Sequence, residues 1–194
     1  MAGRPKIFDE QEVIAKASNI FWEKGYEAAS SEELLKAMGI GKGSFYLFFK
    51  GGKKELYEKS LKQYANNLLS SIRKDISESD NPIEYLKKFF FQLADTTNIH
   101  KAKGCFMGNA LVEMATKDEY TKQLVAGLLN ELEIIFINTV EKAKEDNLLM
   151  TNKSSKLIGS HLLNLWNGLN VTRRMDADDA SLEALIKFNL EILT

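Results

Sequence analysis

Ser30-Ser31-Glu32-Glu33-Leu34-Leu35-Lys36-Ala37-Met38-Gly39-Ile40-Gly41-Lys42-Gly43-Ser44-Phe45-Tyr46-Leu47-Phe48-Phe49 reads as two short helices joined by a glycine-containing turn. Ser30 and Glu33 stand at capping-box spacing, where each side chain reaches the other's free backbone N–H. That starts a helix through Met38, which Gly39 interrupts; a second runs from about Lys42 to Phe49, where Gly51-Gly52 breaks it. Helical spacing turns Phe45, Phe48 and Phe49 inward and leaves Lys42, Ser44, Tyr46 and Leu47 outside. Gly41 and Gly43, lacking side chains, let the N-terminal N–H groups of this helix come close to a phosphate backbone. From Leu34 to Lys54 there is no Asp or Glu, while Lys36, Lys42, Lys50, Lys53 and Lys54 all fall there. A phosphate-facing surface requires such an acid-free basic segment, although a solvated charged face gives the same pattern.

Outward from this segment the apolar periodicity is helical, and no alternation is long enough to argue for a strand. Val13, Ala17, Ile20 and Phe21 mark a first helix that begins near Asp9 and stops at Gly25. Three short helices with a glycine in the second turn form a common helix-turn-helix layout, which a small helical bundle also shares. Longer helices follow at about Lys53 to Ile76, Pro82 to Asp95, Cys105 to Ala115, Tyr120 to Ala143, Leu157 to Leu169 and Leu182 to Leu193. The expectation is an all-α protein of about nine helices, with a helix-turn-helix head over residues 1–52 and a larger helical body over 53–194.

Composition narrows the class. The chain has 194 residues, 44% hydrophobic and 27% charged, with only 2 Pro and 12 Gly, which excludes disordered and fibrous classes. No apolar run approaches the roughly 18 residues of a membrane span, and the start lacks the apolar stretch of a signal peptide, so a cytoplasmic protein with no membrane partner is expected. The lone cysteine, Cys105, rules out an intramolecular disulfide and fits a reducing compartment. The net charge of -1 gives no sign of a nucleic-acid partner; the local distribution does.

Gly25-Tyr26, Ser30-Ser31, Leu34, Ala37-Met38-Gly39-Ile40, Lys42-Gly43-Ser44-Phe45-Tyr46, Phe49, Lys53 and Leu56 together resemble the tetracycline-repressor (TetR) family of regulators. The likeness in motif covers about the first quarter of the chain, and the rest agrees in helix count and length. The resemblance implies an all-α homodimer whose third helix enters the major groove of a pseudo-palindromic operator in double-stranded DNA. It implies a C-terminal domain that binds a small-molecule effector and dimerises through about Leu157–Arg173 and Leu182–Leu193, with repression relieved by the effector. Residue by residue, Lys42 and Gly43 would meet phosphate or groove edge, and Ser44 and Leu47 would reach bases. Tyr46 and Lys53 would contact phosphates, and Ser30 and Ser31 would touch the backbone. The chain departs from the pattern at Ala29, where Thr is frequent, at Gly41, where a capping Ser is frequent, and at Leu47, where His is frequent. Arg4-Pro5-Lys6 resembles the basic arms that some members lay in a minor groove; a free tail is the other reading.

Other chemistry finds little support. Gly39-Ile40-Gly41-Lys42-Gly43-Ser44 lacks the spacing and the preceding strand of a phosphate-binding loop. The two histidines, His100 and His161, are isolated, and no paired cysteines occur, which argues against a metal site; no cofactor is expected. Nothing places Ser, His and carboxylate side chains as a triad, so a helical enzyme or a protein-interaction module stands as the alternative class. In the body, Tyr64, Phe90, Cys105, Met107, Asn109, Met114, Trp166 and Asn170 are the candidate effector-binding residues, with ordinary core as the other reading of each. Cys105 follows Lys101, Lys103 and Gly104 near a helix start, where positive charge and dipole lower a thiol pKa and make a sensor; a buried apolar packing residue is the alternative.

Overall fold

The first helix opens on Asp9, whose carboxylate accepts the N–H groups of Gln11 at 2.8 Å and Glu12 at 3.4 Å. The computed structural model describes residues 9–95, 101–175 and 178–194. Among them run nine α-helices: α1 (Glu10–Ala28), α2 (Ser31–Met38), α3 (Lys42–Phe48), α4 (Gly52–Glu78), α5 (Pro82–Phe91), α6 (Phe106–Met114), α7 (Glu119–Glu145), α8 (Ser155–Thr172) and α9 (Asp179–Leu190). Short 3-10 turns lie at Gln92–Ala94, Lys101–Lys103 and Glu191–Leu193, and no strand occurs among the described residues. The Arg4-Pro5-Lys6 arm and His100 lie outside the described residues.

The regular course of α1 breaks at Gly25, as its sequence implies. Gly25 adopts φ 81 and ψ 177, a conformation nearly closed to other residues, and the helical run resumes to Ala28. The continuation is possible because the N–H groups of Tyr26 and Glu27 find an acceptor outside their own helix, the carboxylate of Glu113 on α6, at 2.8 and 3.0 Å. The expected helix from Pro82 to Asp95 also ends sooner: α5 stops at Phe91 and tightens into the Gln92–Ala94 turn.

α4 is the spine. Its buried face, Leu56, Tyr57, Leu61, Ala65, Leu69 and Ile72, recurs at helical spacing, and the helix packs on α1 at one end and on α5, α6 and α7 along its length. An aromatic cluster sits where α1, α4 and α6 meet. The ring of Phe21 lies 4.9 Å from that of Tyr57, edge to face, and Tyr57 lies 5.9 Å from Phe106. Tyr64 closes the cluster against Trp22 at 5.1 Å and Phe106 at 5.6 Å. A second cluster fills the body, with Phe89 stacked on Trp166 at 5.2 Å and Phe90 against Phe136 at 5.7 Å.

α7 corrects one expectation from composition. An 18-residue window within Glu119–Glu145 reaches a mean hydropathy of 1.3, so by length and composition this helix would span a membrane. Its apolar residues are spent on packing: Val125, Leu132, Phe136 and Val140 are buried against α4, α6 and α8. Truncating Phe106, 1% exposed, is expected to cost about 3–5 kcal/mol. Because its ring touches α1 and α4 together, urea denaturation of Phe106→Ala should show one cooperative transition at lower midpoint, rather than separate melting of head and body.

Candidate nucleic-acid interface and the cavity behind it

Ser30 builds the capping box expected of it: its hydroxyl accepts the Glu33 N–H at 3.2 Å, and the Glu33 carboxylate accepts the Ser30 N–H at 3.2 Å. The turn after α2 is made by Gly39 at φ 69, which donates to the Leu35 carbonyl at 3.0 Å. α3 then starts at Lys42 with no side-chain cap and no acidic residue in its first turn. Phe45 is buried, and Phe49 leaves the helix at φ -115 and ψ 78 to bury itself completely. Phe48, expected inward, is 40% exposed. The helix ends at Phe48, so the change of dihedral at Phe49 takes the inward direction and leaves its neighbour at the edge.

The remaining α3 side chains face solvent. Lys42, Gly43, Ser44, Tyr46 and Leu47 are all exposed, Leu47 by 61%. A groove of about 330 Å³ runs between α2 and α3, with Ser31, Lys42 and Tyr46 on its walls. A Cβ at Gly41 or Gly43 would meet nothing within 4 Å, and neither residue takes a positive φ. The fold therefore does not demand these two glycines, which weaken a helix.

Electrostatics separate the lysines. The Lys24 ammonium and Ser30 hold the Glu33 carboxyl at about 2, so this flanking acid is neutralised in place. Glu55, lowered chiefly by the Gly51 N–H at 2.8 Å, is paired with Lys59 at 3.3 Å. Lys54 is engaged by Asp118, to which it donates at 2.5 Å. Lys53, expected at a phosphate, donates to the Glu27 carbonyl at 3.3 Å with its ammonium 4.7 Å from the centre of the Tyr26 ring. Lys36, Lys42 and Lys50 stay exposed, a thinner basic surface than the sequence suggests.

Behind the head lies a cavity of about 480 Å³ between α6, α7 and α8. Cys105, Asn109 and Asn170 line it. The Asn170 Nδ2 donates to the Trp166 carbonyl at 2.9 Å, leaving its buried Oδ1 without a partner among the described residues, as is Oδ1 of Asn167 in the same wall.

Residues 13–59 match the family "Bacterial regulatory proteins, tetR family", and residues 82–188, more than half of the chain, match "Tetracyclin repressor-like, C-terminal domain". The chain belongs to the TetR family. It is a DNA-binding transcriptional regulator rather than an enzyme. The TetR-family fold extends over nearly its whole length. A cysteine mutant of the regulator CifR, complexed with 26-base-pair double-strand operator DNA, superimposes with a TM-score of 0.84 at 20% identity, over 98% of this chain and 100% of that one. Reduced NemR of Escherichia coli gives a TM-score of 0.84 at 18% identity, over 96% and 98%. In sequence, the repressor DhaR of Mycobacterium sp. (strain GP1) is 20% identical over 94% of this chain and 91% of its own length.

Set in this TetR body, five sequence candidates fall away from the cavity. Phe90 and Met107 are fully buried in the core, Met114 is buried at 4%, Trp166 is stacked on Phe89, and Tyr64 belongs to the aromatic joint. All five were large apolar residues, the type that cavities and solid cores share. Glu113, Val112 and Arg174, also in the cavity wall, were missed. The spacing of Asn109 and Glu113, i and i+4 on α6, was the available signal. Among the described residues no cluster suited to a metal ion occurs.

Of the two readings of Cys105, the structure favours the buried packing residue. It caps α6, its sulfur accepting the Gly108 N–H at 3.4 Å, yet it is 3% exposed and burial pushes its thiol up from the ordinary value. Desolvation outweighs the nearby N–H groups and the Arg173 charge, so the thiolate is disfavoured. In the folded protein Cys105 should react with iodoacetamide at pH 7 at least about tenfold more slowly than in urea. Equal rates would restore the sensor reading.

Proposed function

We infer that the protein is a homodimeric repressor that binds a pseudo-palindromic operator through α3 and is released by a small molecule held in the α6–α7–α8 cavity. The observation that carries the DNA contact is the outer face of α3: five adjoining positions, Lys42, Gly43, Ser44, Tyr46 and Leu47, that the protein's own core does not use. Lys42, Gly43 and Tyr46 would hold phosphates and Ser44 and Leu47 would read base edges, with Ser31 joining from α2. Ser30 and Lys53 act from behind, holding the start of α2 and the end of α1. In this reading residues 1–52 form the DNA-reading head and 53–194 the effector-binding and dimerising body. A repressor of this kind works beside the chromosome, in the cytoplasm.

Dimerisation is supported by an apolar stripe on the last two helices. Leu157, Val171 and Met175 on and just beyond α8 are 58%, 62% and 73% exposed, and Leu185 and Phe188 on α9 are 41% and 70% exposed. A second copy of the chain would cover both, related by a two-fold axis that sets two heads on half-sites one helical turn, or a multiple, apart. Phe188→Glu should give a monomer by light scattering and weaken operator binding by at least roughly a hundredfold while keeping the helical circular dichroism. A dimer that survived the change would exclude this face.

Selection from random duplex DNA, followed by anisotropy titration, tests the head. Lys42→Glu and Tyr46→Ala should abolish measurable binding at physiological salt with the melting temperature unchanged, and Lys42→Ala should lower the salt slope by about one. Gly43→Ala should hold or raise stability by up to about 1 kcal/mol and still weaken binding, because the new methyl stands where the backbone must approach DNA. Retained affinity in all four variants would remove α3 from the interface.

A further inference from the structure

Glu113 belongs to two structures at once. From α6 it is one of the residues lining the 480 Å³ cavity, and its carboxylate accepts the N–H groups of Tyr26 at 2.8 Å and Glu27 at 3.0 Å on α1. Those N–H groups need an outside acceptor because the non-helical Gly25 interrupts the helical hydrogen-bond ladder just before them. The carboxylate sits flush against the break: a Cβ at Gly25 would stand 2.8 Å from Glu113 Oε2. Other ties hold α1 to the body, among them Trp22 Nε1 to the Gly104 carbonyl at 3.2 Å and Lys117 to Glu27 at 3.4 Å. Neither Trp22 nor Lys117 lines this cavity; Glu113 does.

Glu27 is gripped on both sides. Its N–H is held by Glu113, and its carbonyl by Lys53 at the start of α4 at 3.3 Å. Three residues later the chain reaches Ser30, the cap of α2. A change at Glu113 thus acts directly on the segment that aims α2 and α3. Around Glu113 the cavity wall is apolar at Leu111, Val112 and Leu129, includes Arg174, and holds buried amide oxygens on Asn167 and Asn170 that have no hydrogen-bond donor among the described residues. The wall therefore suits an apolar molecule with a hydrogen-bond-donating head.

We propose that Glu113 transmits occupancy of the cavity to the DNA-binding head: an apolar molecule with a donor group binds against its carboxylate and draws it off the Tyr26 and Glu27 N–H groups. The proposal rests on the cavity being the effector site. A ligand acts only through its difference in affinity between the two states, and here that difference is the choice Glu113 makes between ligand and backbone. Coupling must also be reciprocal, so operator DNA must weaken binding of the same molecule.

The test uses the full-length protein, the selected operator, and two probes of the same shape, benzylamine and ethylbenzene, of which only the first donates. Saturating benzylamine should lower operator affinity roughly fivefold or more and speed amide exchange at Tyr26 and Glu27 by roughly tenfold, while ethylbenzene binds and does neither. In Glu113→Gln, checked for unchanged melting and circular dichroism, basal exchange at these amides should rise and the benzylamine effect on the operator should vanish. Benzylamine that binds and releases DNA without changing exchange at Tyr26 and Glu27 overturns the role of Glu113 and leaves the effector site standing. Failure of both probes to bind, with operator binding intact, overturns the cavity reading itself. Should Glu113→Gln not fold, the exchange measurements on the unaltered protein decide between these outcomes alone.

Discussion

The contact of Phe21, Tyr57 and Phe106 is the constraint on which the arrangement depends. One ring comes from α1, one from α4 and one from α6, with centroids 4.9 and 5.9 Å apart. The head accordingly has no core separate from that of the body; its first helix is packed into the same interior. Close-packed interiors transmit displacement rather than absorb it, so α1 and α6 cannot shift independently. Around this joint Glu113 supplies the acceptor that the Tyr26 and Glu27 N–H groups lack at the α1 break.

The outer surface follows the opposite rule. α3 is seven residues long, carries Gly43 and starts after Gly41, lacks a side-chain cap, and is held by Phe45 within it and Phe49 just beyond it. A helix this short has little stability of its own, and its geometry is borrowed from the anchors beneath it. The basic character is also borrowed: Lys24 and Lys59 pair with the flanking Glu33 and Glu55, while Lys36, Lys42 and Lys50 stay exposed, with Glu32 as the acid that shares the groove of Lys42.

Much of the fold was legible because helix periodicity and end signals are local. Ser30 with Glu33, Gly39, and Pro82 after Asn81 all act through neighbours within four residues, and each does in the structure what its spacing implies. Gly25 breaks its helix as its sequence implies, but the helical stretch beyond it to Ala28 was not legible, because it leans on Glu113, far along the chain, and no local pattern shows an acceptor arriving from another helix. The site divides in the same way. The outward face of α3 followed from helical geometry except at Phe48, whose direction depends on how Phe49 leaves the helix. Lys53 and Lys54 were read as surface charges, although their partners, Glu27 and Asp118, lie on other elements. Five of the eight candidates do not line this cavity, because a large apolar side chain gives no clue whether it walls a void or fills one; the asparagines and Cys105 do line it, and polar atoms on an apolar helix were the signal for them.

Lys42, Ser44 and Leu47 face outward from α3, and the two buried phenylalanines beneath, Phe45 and Phe49, anchor the helix from its other side. Recognition and foldability are thereby written in separate letters of the same short word. A lineage can rewrite the address the regulator answers to, one outward residue at a time, without passing through a form that fails to fold.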